Sequence, residues 1–377
     1  MKKCIVPALI FICVYIVCLC FQRYTLINAE SLGLFLMTPD YIREVFTNPW
    51  PISSLLNDFL IQFFRYSYIS QAIVALIITI VFLLTRSLLS RITAKGSIPG
   101  TIAAMAVWYF ITKGQSLTIG ITVILIECIL LILSSFLRKR FWDESNISIY
   151  ISAGLVLACC IIIITDKEIR SNERWSAVEF ATIRQDWDLV LQKATPKAAA
   201  KDRDLIPYAM LALNAKNELT ERMKDYPVRS IEDLDMEGIN SRRGYLFTSY
   251  MYESLNCLNE AVHQNFQAAC FLPHGTSFHT LRRLVALNYA IGDYALVAKY
   301  CSILKQSCCH DEFVQTYMEL IKDRRERIDK GFTDSSEVAL LTHNPQYNLY
   351  SLQKMGISSG TALDRFKAYL LFTHPEK

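Results

Sequence analysis

Hydrophobic positions along this chain follow two rhythms, and the rhythm changes near residue 165. Up to that point they form unbroken runs at about 4–21, 69–85, 98–112, 117–137 and 148–165. A membrane-crossing helix needs roughly 17–25 apolar residues, which the third run alone does not reach. Beyond residue 165 the apolar positions stand three and four apart among charged ones, the spacing of helices with one buried face. The pattern predicts an all-α chain. Residues 1–165 form a membrane domain, an N-terminal transmembrane helical bundle with about five spans, and residues 166–377 form a soluble helical-repeat domain.

Lys2 and Lys3 give the first run the charged start of a signal peptide, but no small-x-small cleavage site follows Cys20. Val17 also precedes Cys18 where a lipoprotein signal would carry a small residue. The run therefore reads as an uncleaved anchor. Arg86, Arg91 and Lys95 follow the second run, and Arg138, Lys139 and Arg140 follow the fourth. Short basic loops stay cytoplasmic, whereas the loop with Lys113 suits the outer side. The N-terminus is then cytoplasmic, and residues 166–377 lie in the periplasm of a bacterial cell envelope, anchored in the inner membrane.

The segment 22–68 predicts helices of a different kind. Thr38 is placed to cap one, with Pro39 at its first position and Asp40 in its first turn. A second is expected from Ser53 to about Tyr66, crowding Phe59, Leu60, Phe63 and Phe64 on one side and leaving Asp58, Gln62 and Arg65 wet. Such a helix lies at the membrane interface or packs on the spans.

In the second half, "ALNYAIGDYALVAKYC", residues 286–301, reads as the bend of a helical hairpin. Tetratricopeptide-type repeats recur at about 34 residues. Stepping back from Gly292-Asp293-Tyr294 gives Asn256-Cys257-Leu258, Asn217-Glu218-Leu219 and Gln185-Asp186-Trp187, at spacings of 36, 39 and 32. Two positions past each bend stand Trp187, Leu219, Leu258 and Tyr294, and five before it Phe180, Ala212, Met251 and Leu287. Five positions after it come Val190, Arg222, Ala261 and Val297, where Arg222 breaks the pattern. One apolar residue on each arm and one at the elbow is what two antiparallel helices need to close. Gly and Asn suit the elbow because they accept the left-handed conformation that ends many helices. The irregular spacing predicts a divergent tetratricopeptide-like α-solenoid.

"LGLFLMTPDYIREVF", "LNDFLIQFFRYSYISQAIVALII", "YAMLALNAKNELTERMKDYP" and the stretch from "ESLNCLNEAV" through "YALVAKYCSIL" resemble an uncharacterised bacterial membrane-protein family, domain of unknown function 6057. The resemblance spans both halves in order. It implies a multi-span N-terminus followed by tetratricopeptide-like helices, and it implies no activity. It fades in "LDRFKAYLLFTHPEK", which implies that the final repeats or their polar cap are missing.

Composition adds little to this. An apolar share of 52% and a charged share of 20% average over two unlike halves, and a net charge of +4 is too mild to imply nucleic acid. Of 12 cysteines, Cys4, Cys13, Cys18, Cys20, Cys128, Cys159 and Cys160 lie in apolar runs, where a thiol behaves as a small hydrophobe. Cys257, Cys270, Cys301, Cys308 and Cys309 are expected to be buried free thiols. "SCCHDEF", residues 307–313, crowds thiol, imidazole and carboxylate together but lacks the paired spacing of zinc ligands. His263, His274, His279, His343 and His374 are scattered, and no phosphate-binding loop, nucleophile elbow or zinc-protease helix occurs. No metal or cofactor is expected.

Glu127 stands in the middle of the fourth run, where a carboxylate is costly and normally faces a partner or a wet path. Tyr109, Thr101 and Tyr150 are conceivable donors to it. It either ties two helices together or lines a path for protons or substrate. The leading functional expectation is a membrane base presenting its repeats to a protein partner. The competing one is an envelope enzyme or transporter with its site around Glu127.

Overall fold

The computed structural model describes residues 4–92, 97–114, 116–134, 146–229, 233, 236, 240–255 and 257–329. Among them are 18 α-helices and no strand. The chain divides into two compact units, Met1–Ser176 and Ala177–Lys377.

In the first unit, α1 (Ile5–Phe21) gives way to α2 (Arg23–Leu32) at a bend of 78°. Then follow α3 (Pro39–Val45), α4 (Pro51–Ile61), a 3-10 turn (Gln62–Arg65), α5 (Ile69–Ile92), α6 (Ser97–Gly114), α7 (Thr118–Leu133) and α8 (Asn146–Thr165). The boundary with the second unit falls inside α9 (Lys167–Ile183), because Ile169 is buried in the first unit's core. α5 packs on α1, α6 and α7, while α8 packs on α1 and α6. Val6, Ile10 and Val14 meet Ile78, Phe82, Trp108 and Val156 in the shared core. At Gly120 of α7, an added Cβ would lie 2.8 Å from Ile111 Cδ1 and 2.9 Å from Ile77 Cγ2, so any side chain there would have to push these two isoleucines aside.

By length and composition, α5 and α8 can each cross a membrane, as can the bent α1–α2 pair if it is one span. α7 is 16 residues long as described, and the rest of the run 117–137 lies outside the described residues. Among the described residues, this unit exposes large apolar side chains on α1, α5, α6, α7 and α8, from Ile5 to Ile162, and also on α3, α4 and the segments around them, from Met37 to Tyr68. In the second unit only Phe266, Phe271, Met318 and Leu320 are of this kind among the described residues.

Thr38 caps α3 by accepting from Tyr41 N, with Pro39 at the first helical position. The helix expected from Ser53 starts earlier, at Pro51, and tightens into the 3-10 turn after Ile61. Gln62 is fully buried instead of wet, because that turn packs against α2 and α5 and the Gln62 amide donates to Phe59 O at 3.2 Å. α4 packs on α7: Ser53 and Thr122 hydroxyls are 2.8 Å apart, and Asn57 Oδ1 accepts from Leu117 N at 2.9 Å.

The second unit takes the end of α9, then α10 (Trp187–Lys193), α11 (Pro196–Ala199), α12 (Leu205–Ala215), α13 (Leu219–Arg222) and α14 (Arg242–Ser254). α15 (Leu258–Ala269), α16 (Phe278–Ile291), α17 (Tyr294–Leu304) and α18 (Asp311–Asp329) complete it. Packing follows chain order: α10 meets α12, α12 meets α13 and α14, and α14 to α18 each meet the next. Ser241 and Ser277 cap α14 and α16, the latter in a reciprocal capping box with Thr280.

The crowding at Gly120 gives a test. Gly120→Ala should destabilise the full-length protein in detergent despite alanine's higher helix propensity, and Gly120→Val by about 1–3 kcal/mol. Gly154→Ala, where an added Cβ meets nothing within 4 Å, should be neutral or stabilising by up to about 1 kcal/mol. Thermal unfolding of the three variants checks the order.

Candidate functional site

The predicted elbows share one backbone hydrogen bond. Asp186 N donates to Ala181 O at 2.9 Å, Glu218 N to Leu213 O at 2.8 Å, Cys257 N to Tyr252 O at 2.8 Å and Asp293 N to Asn288 O at 2.9 Å. Each bond spans five residues and closes the helix end over a reversed turn. Gln185 (φ 55°), Asn217 (φ 57°) and Gly292 (φ 94°) are left-handed there, while Asn256 lies outside the described residues. Asp186 and Asp293 then cap the next helices, accepting from Leu189 N and Leu296 N.

Trp187 and Tyr294 are half-buried, whereas Leu219 and Leu258 are buried, as are Ala212, Met251 and Leu287 on the incoming arms. Val190, Ala261 and Val297 are buried on the outgoing arms. Arg222 is exposed, and there the outgoing helix, α13, stops after 4 residues. Met223, one position on, is buried in its place within a short 3-10 turn.

Glu127 is buried, at 8% exposure, between α7 and α5. None of the three expected donors reaches it. Thr101 donates to Ser97 O in its own helix, Tyr109 OH stands 3.4 Å from Asp166 Oδ2, and Tyr150 is exposed. The partner is Thr85 of α5, whose hydroxyl contacts Glu127 Oε1 and also stands 2.9 Å from Val81 O. The run of apolar letters hides the rotational phase of a helix, so the sequence did not reveal which neighbour faces Glu127. Its Oε2 is buried without a hydrogen-bond partner among the described residues.

A polar network joins α14 to α16. Arg283 is buried over the Tyr250 ring, 3.7 Å from its centroid, with Nε donating to Ser249 Oγ at 2.9 Å and NH1 to Glu253 Oε2 at 2.7 Å. Tyr250 OH meets His279 Nε2 at 3.0 Å. Burial holds the Tyr250 hydroxyl well above its usual range, so it stays neutral and serves as a hydrogen-bonding group. His310, from the thiol-rich stretch, is buried and stacked on Phe278, with Nδ1 2.7 Å from Ser307 Oγ and Nε2 3.3 Å from Arg282 NH1. The imidazole's contacts are those of a core residue.

Cys257 and Cys301 are buried, and burial pushes their thiols up to about 12 and about 11. Neither is a ready thiolate. Cys270 is exposed and Cys308 and Cys309 are half-buried, so the expected burial of all five thiols does not hold. These last three lie at or just past helix ends, where a helix's covered face runs out. Among the described residues, no group of three or more His, Cys, Asp or Glu side chains is placed to hold a metal. His343 and His374 lie outside the described residues.

At one end of the bundle, Asp166 accepts from Glu168 N at 2.9 Å and Ile169 N at 3.2 Å, and Lys113 Nζ stands 3.1 Å from its Oδ2. The Ile169 backbone bond, aided by Lys113, holds this carboxyl below its usual range.

These features define an all-helical protein with apolar helices in its first unit and helical hairpins in its second. The chain belongs to a family of unknown function (DUF6057), whose model matches residues 1–167 and 123–346. No curated protein and no solved structure matches the chain.

Four outcomes are expected from these geometries. Gly292→Val should lower stability by about 1–2 kcal/mol, the cost of a side chain in a left-handed turn. Gln185→Gly should raise it by about 0.5–1 kcal/mol, since relief of that strain outweighs the added freedom of the unfolded chain. Hydrogen exchange across α9–α10 and α16–α17 in the full-length protein reads both. In the bundle, Glu127→Gln should change stability by no more than about 0.5 kcal/mol, because its amide can donate to Thr85 Oγ1. Thr85→Val should cost about 1–3 kcal/mol by leaving the buried carboxyl unpartnered, as measured by unfolding in detergent.

Proposed function

We propose that this protein is a non-enzymatic integral membrane component whose second unit, a divergent solenoid of helical hairpins, offers a periplasmic binding surface to another protein. The observation that carries the membrane half is where the apolar side chains stay uncovered. Ile126, Ile129, Ile132 and Leu133 of α7 and Leu157, Ile161 and Ile162 of α8 are all exposed, a band that suits contact with acyl chains. Exposed Tyr66 and Tyr68, just before α5, and exposed Trp50, just before α4, suit the headgroup level, where amphipathic rings concentrate. The solenoid half is supported by the repeated elbow bond and by packing that follows chain order. Stacked hairpins expose extended faces suited to segments of other chains.

A second reading, a cell-envelope enzyme or transporter, is favoured by one observation: the unpartnered Oε2 of Glu127 inside the bundle. An intramembrane carboxyl with a free oxygen is a natural stop for a proton or a polar substrate. The two readings separate on Glu127→Gln. Under the first, cells carrying the variant at normal membrane levels behave as wild type. Under the second, they lose the protein's function.

The orientation is read by reporter fusions. Fusions at Lys95 and Lys139 should report the cytoplasm and a C-terminal fusion the periplasm. A periplasmic signal at Lys95 or Lys139 would overturn the orientation.

A further inference from the structure

The hairpin of α3 and α4 carries an apolar face on its open side. Ile42 and Phe46, one helical turn apart, are exposed, and so are Ile52 and Leu56 on α4. Trp50, between the two helices, is 57% exposed. The other side of α4 is covered: Ser53, Asn57 and Ile61 are buried, and the helix packs on α7.

Hydrogen bonds between α4 and α7 set the direction of this hairpin. Ser53 Oγ stands 2.8 Å from Thr122 Oγ1, while Asn57 Oδ1 accepts from Leu117 N at 2.9 Å and from Ser116 Oγ at 3.3 Å. Later residues of α4 meet earlier residues of α7, so the two helices run antiparallel. Thr122 lies about 7 Å further along α7 than Leu117, at 1.5 Å per residue. α4 therefore begins partway down α7 and climbs to its start, and the turn Phe46–Trp50, which precedes Ser53, continues in the downward direction. Tyr41 OH, 2.8 Å from Asp58 Oδ2, ties the first turn of α3 to the upper end of α4. Ile119 of α7, between the levels of Leu117 and Thr122, is exposed as well.

The turn is also self-contained in its backbone. The amides of Phe46, Thr47 and Asn48 donate to Ile42 O, Glu44 O and Val45 O, each at 3.0 Å, and Pro49 and Pro51 have no N–H. Those five positions leave no amide open, which is what hydrocarbon demands of a backbone. The Thr47 hydroxyl donates to Glu44 O at 2.7 Å.

We propose that α3 and α4 form a re-entrant hairpin whose tip, marked by Phe46, Trp50 and Ile52, enters the leaflet that holds the start of α7, so that the partner of this face is the phospholipid bilayer. The inference rests on the membrane placement proposed above. With Leu117 at the hydrocarbon boundary, the tip reaches a depth of about 5–10 Å, at which interfacial helices bury their apolar faces. Asp40, Arg43 and Glu44 share a different, exposed side of α3 and face the head groups.

The test reads tryptophan fluorescence of full-length protein in nanodiscs of phosphatidylcholine brominated near either the head-group end or the methyl end of its acyl chains. Iodide is the aqueous quencher. The signal of Trp50 is the difference between the wild type and Trp50→Phe, with Trp50→Tyr in its place should the first variant fail to fold. Phe46→Trp and Leu157→Trp, each in the Trp50→Phe background, report the tip a second time and the exposed middle of α8. Bromines near the head-group end should quench Trp50 and Phe46→Trp several-fold more than iodide does, whereas bromines near the methyl end should act best on Leu157→Trp. Quenching of both tip signals by iodide and not by bromine would overturn the insertion. So would tip signals that neither quencher reaches, since protein, a second copy included, would then cover the face. Either result with Leu157→Trp still quenched by lipid removes the hairpin inference alone. Loss of lipid quenching at Leu157→Trp as well would overturn the membrane placement with it.

Discussion

The first unit depends on a carboxylate from far along the chain. Glu173, in α9, accepts from Tyr24 N at 2.9 Å, Thr25 N at 2.8 Å and the Thr25 hydroxyl at 2.7 Å. These are the first amides of α2, which have no partner inside that helix and would otherwise be left open at the sharp bend after α1. An anion at a helix N-terminus also meets the positive end of the macrodipole. With α2 held there, it packs on the 3-10 turn and on α5. The contact spans nearly 150 residues in sequence. It ties the entry of α9 to the opening of the chain, and α9 then continues into the second unit.

Polar residues inside the apolar helices are tolerated for a simpler reason. Thr79, Thr85, Thr101, Thr122 and Thr165 each place the hydroxyl within 2.7–2.9 Å of the carbonyl four residues earlier, so each is satisfied without leaving its own helix. Glu127 has no such local option, because a carboxyl offers two oxygens and reaches further. It is the member of this set that must look to a neighbouring helix, and that is why it carries the alternative reading of the molecule.

In the second unit the same division holds between backbone and side chain. Elbows are local: a left-handed residue, a bond back over five positions and, twice, an aspartate cap. The pairing between hairpins is not local. Arg283, sandwiched between Tyr250, Ser249 and Glu253, links α16 to α14 across about 30 residues, and a buried cation so surrounded fixes register as much as it adds stability.

What the sequence determined by itself is whatever depends on short stretches. The all-helical character, the positions of the apolar helices, the Thr38–Pro39 start of α3 and the bends at Gln185, Asn217 and Gly292 follow from runs, caps and residue types within a few positions. Family membership was legible for the same reason, since motifs are local strings. Tertiary structure alone decided what each side chain meets. Thr85 as the neighbour of Glu127, the burial of Gln62 and the break of α13 at Arg222 depend on helix rotation and on packing between distant segments. Periodicity gives a helix its buried face only when the opposite face is polar. In runs as uniformly apolar as α5 and α7 no face is marked, and the rotation is chosen by close packing at Gly120 and by the few polar atoms that must find partners.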